Sequence, residues 1–248
     1  MSVIMVATLV GFMAGGLGSL GGGLVTVALG RFGEKWLSMM MGFSAGIMIA
    51  VVCFDLMPEA IHAGSMSLGL MGLLLGAISL LLVDLYIPHS HGTSEEKTKT
   101  AKFLRAGVLL AIGMTMHSIP EGLAVGAGYA IDNLHGLKLA VLIGIQKLPE
   151  GMAVCTPIML GGVKRFKSLG CTVAAGLPVG IGAFIGVVAG NMSPLALSLS
   201  LGFAAGAMLF ITCDSLIPDA QELASGHSAT ISMVVGVITG IFISSLLV

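Results

Sequence analysis

Two short polar stretches carry most of the chemistry open to this chain: His117-Ser118-Ile119-Pro120-Glu121-Gly122 and Gln146-Lys147-Leu148-Pro149-Glu150-Gly151. Each lies in an otherwise apolar segment. Each sets a polar side chain four residues before a carboxylate, with proline directly ahead of the carboxylate. Residues four apart share a helix face, so His117 stacks with Glu121 and Gln146 with Glu150. One imidazole nitrogen, one amide oxygen and two carboxylates, with no thiolate, suit a divalent metal of intermediate softness. Such a set binds with moderate strength, as a carrier needs if the ion is to leave. Pro120 and Pro149 cannot donate to the carbonyls of Met116 and Ile145, so each is expected to interrupt its helix and free an oxygen near the site.

The segments that carry these stretches belong in a membrane. The 248 residues are 56% hydrophobic and only 9% charged, with a mean hydropathy of +1.06. A soluble domain is typically about 25% charged. Ionisable groups at membrane depth are costly and are functional candidates by default. Eight segments are long and apolar enough to span: 2–29, 36–60, 67–88, 104–130, 137–160, 169–190, 195–219 and 229–248. They predict one all-α transmembrane domain over 1–248, multi-pass in the cell membrane, with the lipid bilayer as its surroundings. A net charge of −1 argues against a nucleic-acid partner. Cys53, Cys155, Cys171 and Cys213 lie in apolar segments without metal-finger spacing and read as small core residues. No basic stretch precedes the first apolar segment, so no cleaved signal peptide is expected.

Charge asymmetry sets the orientation. Arg31, Lys35, Lys97, Lys99, Lys102, Arg105, Lys164, Arg165 and Lys167 all fall on one side, nine of the eleven basic residues. That side is expected to be cytoplasmic, with the polar 89–103 loop on it and both termini outside. Residues 41–60 align without gaps to 201–220, with nine of twenty positions identical. Residues 117–125 and 146–154 form a second pair, sharing Pro, Glu, Gly, Ala and Val. Within each pair the two spans run in opposite directions. Inverted repeats around interrupted helices are the pattern of secondary transporters.

With its HxxPEG on span four, a second PEG on span five and a His-containing loop before span four, the chain resembles the ZIP (Zrt/Irt-like) family of divalent metal transporters. The GFxAGxM segments resemble its prokaryotic members. The resemblance covers nearly the whole chain. It implies an eight-helix bundle in a 3+2+3 inverted-repeat arrangement, often a homodimer, that brings metal into the cytoplasm. Zinc is the first expectation for the cargo, with iron, manganese or cadmium as alternatives. Carried over by motif, His117, Glu121, Gln146 and Glu150 match the family's first metal position, and Met48 resembles a weaker further ligand. The second position departs from the pattern. Ser118 and Lys147 stand where the family usually has ligands, and 169–190 contains no carboxylate. An ammonium has donors but no lone pair for a metal. Lys147 is therefore expected to replace the second cation, leaving a mononuclear site.

Outside the site, Asp55 and Glu59 are expected to collect cations at the entrance, though helix-end carboxylates in water would look the same. Asp214 and Asp219 mark an exit, with Asp84, His89 and His91 as a metal relay near the cytoplasmic loop. Two other readings compete. In one, Lys147 blocks the path, making an impaired transporter or a metal sensor. An intramembrane metallohydrolase would need a general base beside the metal. HExxH is absent, because Ser118 follows His117, so no enzymatic activity is expected.

Overall fold

The computed structural model describes residues 2–30, 33–86, 99–224 and 226–246. Among these residues the chain forms eight apolar helices and no strand. Helix α1 is Val3–Leu29. Helix α2 runs through Glu34–Ala50, a π-helical turn Val51–Leu56 and a last segment Met57–Ala63. Helices α3, α4 and α5 are Met66–Tyr86, Lys99–Ile131 and Asn133–Leu160. Helix α6 is Arg165–Gly176 followed by Pro178–Met192. Helix α7 is Pro194–Ile211, a π-helical turn Thr212–Leu216, and Ile217–Glu222. Helix α8 is Ser228–Leu246. Six of these are long and apolar enough by composition to cross a membrane, and Met66–Leu82 is a shorter apolar stretch.

The irregularities lie elsewhere than the prolines of the PEG stretches suggest. Helices α4 and α5 run unbroken through Pro120 and Pro149. The widened turns are in α2 and α7, each just ahead of a proline, Pro58 and Pro218. A proline ring clashes with the carbonyl four residues back. The extra residue in a π turn relieves that crowding: Met57 N–H reaches back to the Val52 carbonyl, and Ile217 N–H to that of Thr212. Helix α4 also begins at Lys99, inside the polar stretch expected to be loop. Hydropathy marks where a helix leaves the bilayer, and the helix continues past that point.

Glycines let the helices pack backbone to backbone. A Cβ on Gly122 or Gly126 of α4 would collide with the Val179 or Ala183 carbonyl of α6. Gly46 of α2 likewise faces Met233 O of α8, Gly76 of α3 faces Phe203 O of α7, and Gly22 of α1 faces Leu148 O of α5. Backbone contact of this kind replaces the hydrophobic drive that lipid cannot supply. Gly122→Ala is expected to cost about 1–3 kcal/mol by overpacking, read as a lowered Tm of the purified protein. An unchanged Tm would show that α4 and α6 can part freely.

The close pairs divide the molecule into two sets. Helices α1, α4, α5 and α6 pack mainly on one another, and α2, α3, α7 and α8 do the same. The sets meet where α2 crosses α5 and α7 crosses α4. Between α2 and α7 two buried hydroxyls make the same contact from opposite ends. Ser38 Oγ donates to Ala220 O at 2.6 Å, and Ser198 Oγ donates to Ala60 O at 2.7 Å. Ser198 and Ala220 each follow their counterparts by 160 residues, the offset of the repeated segments. Of the four cysteines, only Cys155 is buried; Cys53, Cys171 and Cys213 are exposed on the helix surfaces. The expectation that all four are core residues fails for those three. In a membrane chain an apolar segment has a lipid face as apolar as its core face.

Candidate metal centre

Helices α4 and α5 lie against each other and bring the two PEG stretches together. Glu121, Gln146 and Lys147 are fully buried, and Glu150 is 8% exposed. Gln146 and Glu150 share the α5 face by their spacing, and Lys147 stands one residue round from Gln146. The Gln146 amide Nε2 donates to Glu121 Oε1 at 2.7 Å and to Glu150 Oε1 at 2.9 Å. Lys147 Nζ donates to Glu150 Oε2 at 2.7 Å and pairs with Glu121 Oε2 at 2.5 Å. Both carboxylates are thus bridged twice, once by an amide and once by an ammonium. Helix α1 closes the back of the cluster: a Cβ on Gly18 would stand 2.6 Å from Lys147 Cβ. The lysine turns inward and does not snorkel.

His117 is half-buried, one turn before Glu121 on α4, within electrostatic reach of Glu150 and Lys147. Ser118 Oγ donates to Met114 O at 2.8 Å and to Ala175 O at 3.0 Å, tying α4 to the first part of α6. Met48 is buried, and its sulfur accepts a hydrogen bond from Thr212 Oγ1 in the α7 π turn at 3.5 Å. Among the described residues, no group of three or more His, Cys, Asp or Glu converges as a metal cage. The space between the carboxylates is taken by Lys147 and Gln146. The Gln146 Oε1 atom is buried and, among the described residues, has no hydrogen-bond partner.

Sequence reasoning missed Ser44. Its hydroxyl donates to Glu150 Oε1 at 3.1 Å, the one side-chain hydrogen bond described between the cluster and α2. The signal was available, because Ser44 stands one turn before Met48 in the repeated segment.

Asp55 is not an open helix-end carboxylate. It is 3% exposed and sits in the α2 π turn. Its Oδ1 pairs with Lys138 Nζ of α5, itself 4% exposed, and accepts from Ser244 Oγ of α8 at 2.8 Å. Glu59 lies one turn on and half-buried, its Oε1 3.5 Å from His135 Nε2. Asp214 is exposed in the α7 π turn, and Asp219 is partly exposed in the segment after it. Asp84 lies in α3, while His89 and His91 fall outside the described residues.

Residues 87–248, which include both PEG stretches, match the family model described as "ZIP Zinc transporter". The chain belongs to the ZIP zinc transporter family. It is 30% identical over 240 residues to the zinc transporter ZupT of Corynebacterium efficiens, covering 89% of this chain and 90% of that protein. The zinc transporter ZIPB of Bordetella bronchiseptica is 29% identical over 247 residues, 96% of this chain and 79% of that one. ZupT of Corynebacterium aurimucosum is 28% identical over 237 residues, 89% of each chain. This ZIP protein is therefore a multi-pass membrane transporter of divalent metal cations and not an enzyme. The helical architecture with its apolar faces agrees with that membership.

Proposed function

We propose that this ZIP protein carries zinc into the cytoplasm through one metal site between α4 and α5. The observation that carries the reading is the buried cluster of Glu121, Gln146 and Glu150 around the Lys147 ammonium. A structural core has no use for two carboxylates, an amide and an ammonium in lipid, where each unsatisfied group is costly. The ligands are Glu121, Glu150, His117 and the free Oε1 of Gln146, with Met48 as a weaker sulfur donor. Imidazole and carboxylate together favour zinc, and also admit iron, manganese or cadmium. Lys147 stands for the second cation, so one ion is bound at a time.

The bundle is read as a 3+2+3 inverted repeat with both termini outside. The reciprocal Ser38–Ala220 and Ser198–Ala60 contacts and the matched π turns support it. Metal arrives past Glu59, binds the cluster and leaves past Asp214, Asp219, Asp84 and the histidines of the 89–103 loop. Access alternates as the two helix sets shift against each other. The complete burial of Lys147 favours one second reading, a transporter stalled or turned sensor by its own lysine. Zinc uptake by proteoliposomes separates the two. Uptake above that of empty vesicles is expected. If wild type shows none and Lys147→Asp gains it, the stalled reading wins.

A further inference from the structure

Among the described residues, the ion pairs between the two helix sets lie at one end, apart from the Ser44–Glu150 hydrogen bond at the cluster. Lys138 and His135 lie near the start of α5, beside the turn from α4, and their partners Asp55 and Glu59 lie near the end of α2. Lys138 stands two turns before Gln146, about 12 Å along the helix. Leu142, fully buried, sits between them on the same face of α5. The cluster itself is closed toward this end. Its less buried members, His117, which is half-buried, and Glu150, which is 8% exposed, are those nearer the end where α3 finishes and α4 begins.

We infer that Lys138 and Asp55, braced by Ser244, form an ionic latch that closes the metal path at the α4–α5 turn and opens once per transport cycle. The inference rests on the proposed path between α4 and α5. In a dry interface an ammonium and a carboxylate cannot separate without stranding both charges. Asp55 depends on few partners, since its Oδ2 is buried and has none among the described residues. While the pair is intact, α2 and α5 keep one arrangement, and with them the two sets. An arriving divalent cation changes that balance. It offers Asp55 a replacement charge, so Lys138 can withdraw into the wetted opening without leaving the carboxylate bare. The π turn that carries Asp55 gives α2 a place to yield, and such turns are frequent at functional positions. Asp55 then both draws the cation in and holds the path shut until it comes.

The test uses the full chain in detergent, with its four cysteines replaced by serine. A single cysteine is placed at Leu142, on the turn side of the cluster, or at Val154, one turn beyond Glu150 on the far side. Labelling by a polar thiol reagent is timed without metal. Asp55→Asn and Lys138→Met are each expected to speed labelling at 142 by at least about tenfold, a fraction of what a broken buried pair costs, and to slow it at 154. Exchanging the charges with Asp55→Lys and Lys138→Asp should restore both rates. Ser244→Ala, which removes only one hydrogen bond to Asp55, should move both rates the same way by less, and serves if the single charge variants do not fold. Unchanged rates would overturn the latch. So would faster labelling at both positions, which is what a merely loosened fold gives. Labelling needs no transport, so the latch can fail while zinc uptake stands, and the reverse.

Discussion

Zinc uptake into proteoliposomes is expected to fall more than about 100-fold when Glu121 is replaced by glutamine, because even outer-shell partners of a metal site cost 10–100-fold in affinity. The substitution keeps the shape of the side chain and its contact with Gln146 at Oε1. It removes one of the two carboxylates that face Lys147. Formal charge decides that the loss is functional. Two carboxylates and one ammonium sum to one negative charge, which attracts a cation. With Glu121→Gln the remaining Lys147–Glu150 pair is neutral, so no bare charge is left in the fold and nothing draws the metal; the one local loss is the Lys147 contact at Oε2, which the amide NH2 cannot accept. The variant should therefore still fold and purify, with a Tm lowered by no more than one lost hydrogen bond of about 1–3 kcal/mol, while uptake is lost. Uptake that survives Glu121→Gln rules out this carboxylate as a ligand.

Lys147 gives the second large effect, in the opposite direction. Lys147→Met leaves Glu121 and Glu150 facing each other in a dry site with no cation. Removing one member of a buried charge set typically costs about 3–5 kcal/mol. A metal ion can return that charge. Ligand binding to the native state adds about 2.7 kcal/mol at a hundred times Kd. The variant is therefore expected to be markedly less stable than wild type without metal, and zinc should raise its Tm by much more than it raises that of wild type. Lys147→Asp goes further: it supplies a third carboxylate at the second position and should admit a second zinc. Equal zinc-induced Tm shifts in wild type and Lys147→Met would mean that the ammonium does not stand in for a cation.

The gathering of Glu121, Gln146, Lys147 and Glu150 into one candidate site was legible in the sequence because its signals are local. Helical spacing alone puts Glu121 under His117 and Glu150 under Gln146, and an ammonium three residues from a buried carboxylate has few places to go. What the spacing could not give was the partner across a helix boundary. Ser44 reaches Glu150 from α2, and Lys138 and Ser244 close on Asp55 from α5 and α8. As a sequence, Lys138 looks like a loop charge and Asp55 like a wet helix end. Only the crossing of α2 over α5 makes them a buried pair. The prolines misled for a related reason. Loss of one N–H weakens a helix locally, but whether it bends, widens or stays straight depends on what packs around it. Pro120 and Pro149 stay within helices held on several sides, while Pro58 and Pro218 follow the widened turns. The three surface cysteines escaped because apolar composition cannot tell a lipid-facing position from a core one.

The most direct test of a one-metal site completed by a lysine is a metal count on the purified wild-type chain. Protein equilibrated with zinc above its Kd and freed of excess should carry one zinc per chain, and Glu121→Gln none. Two zinc ions per wild-type chain would contradict the role given to Lys147.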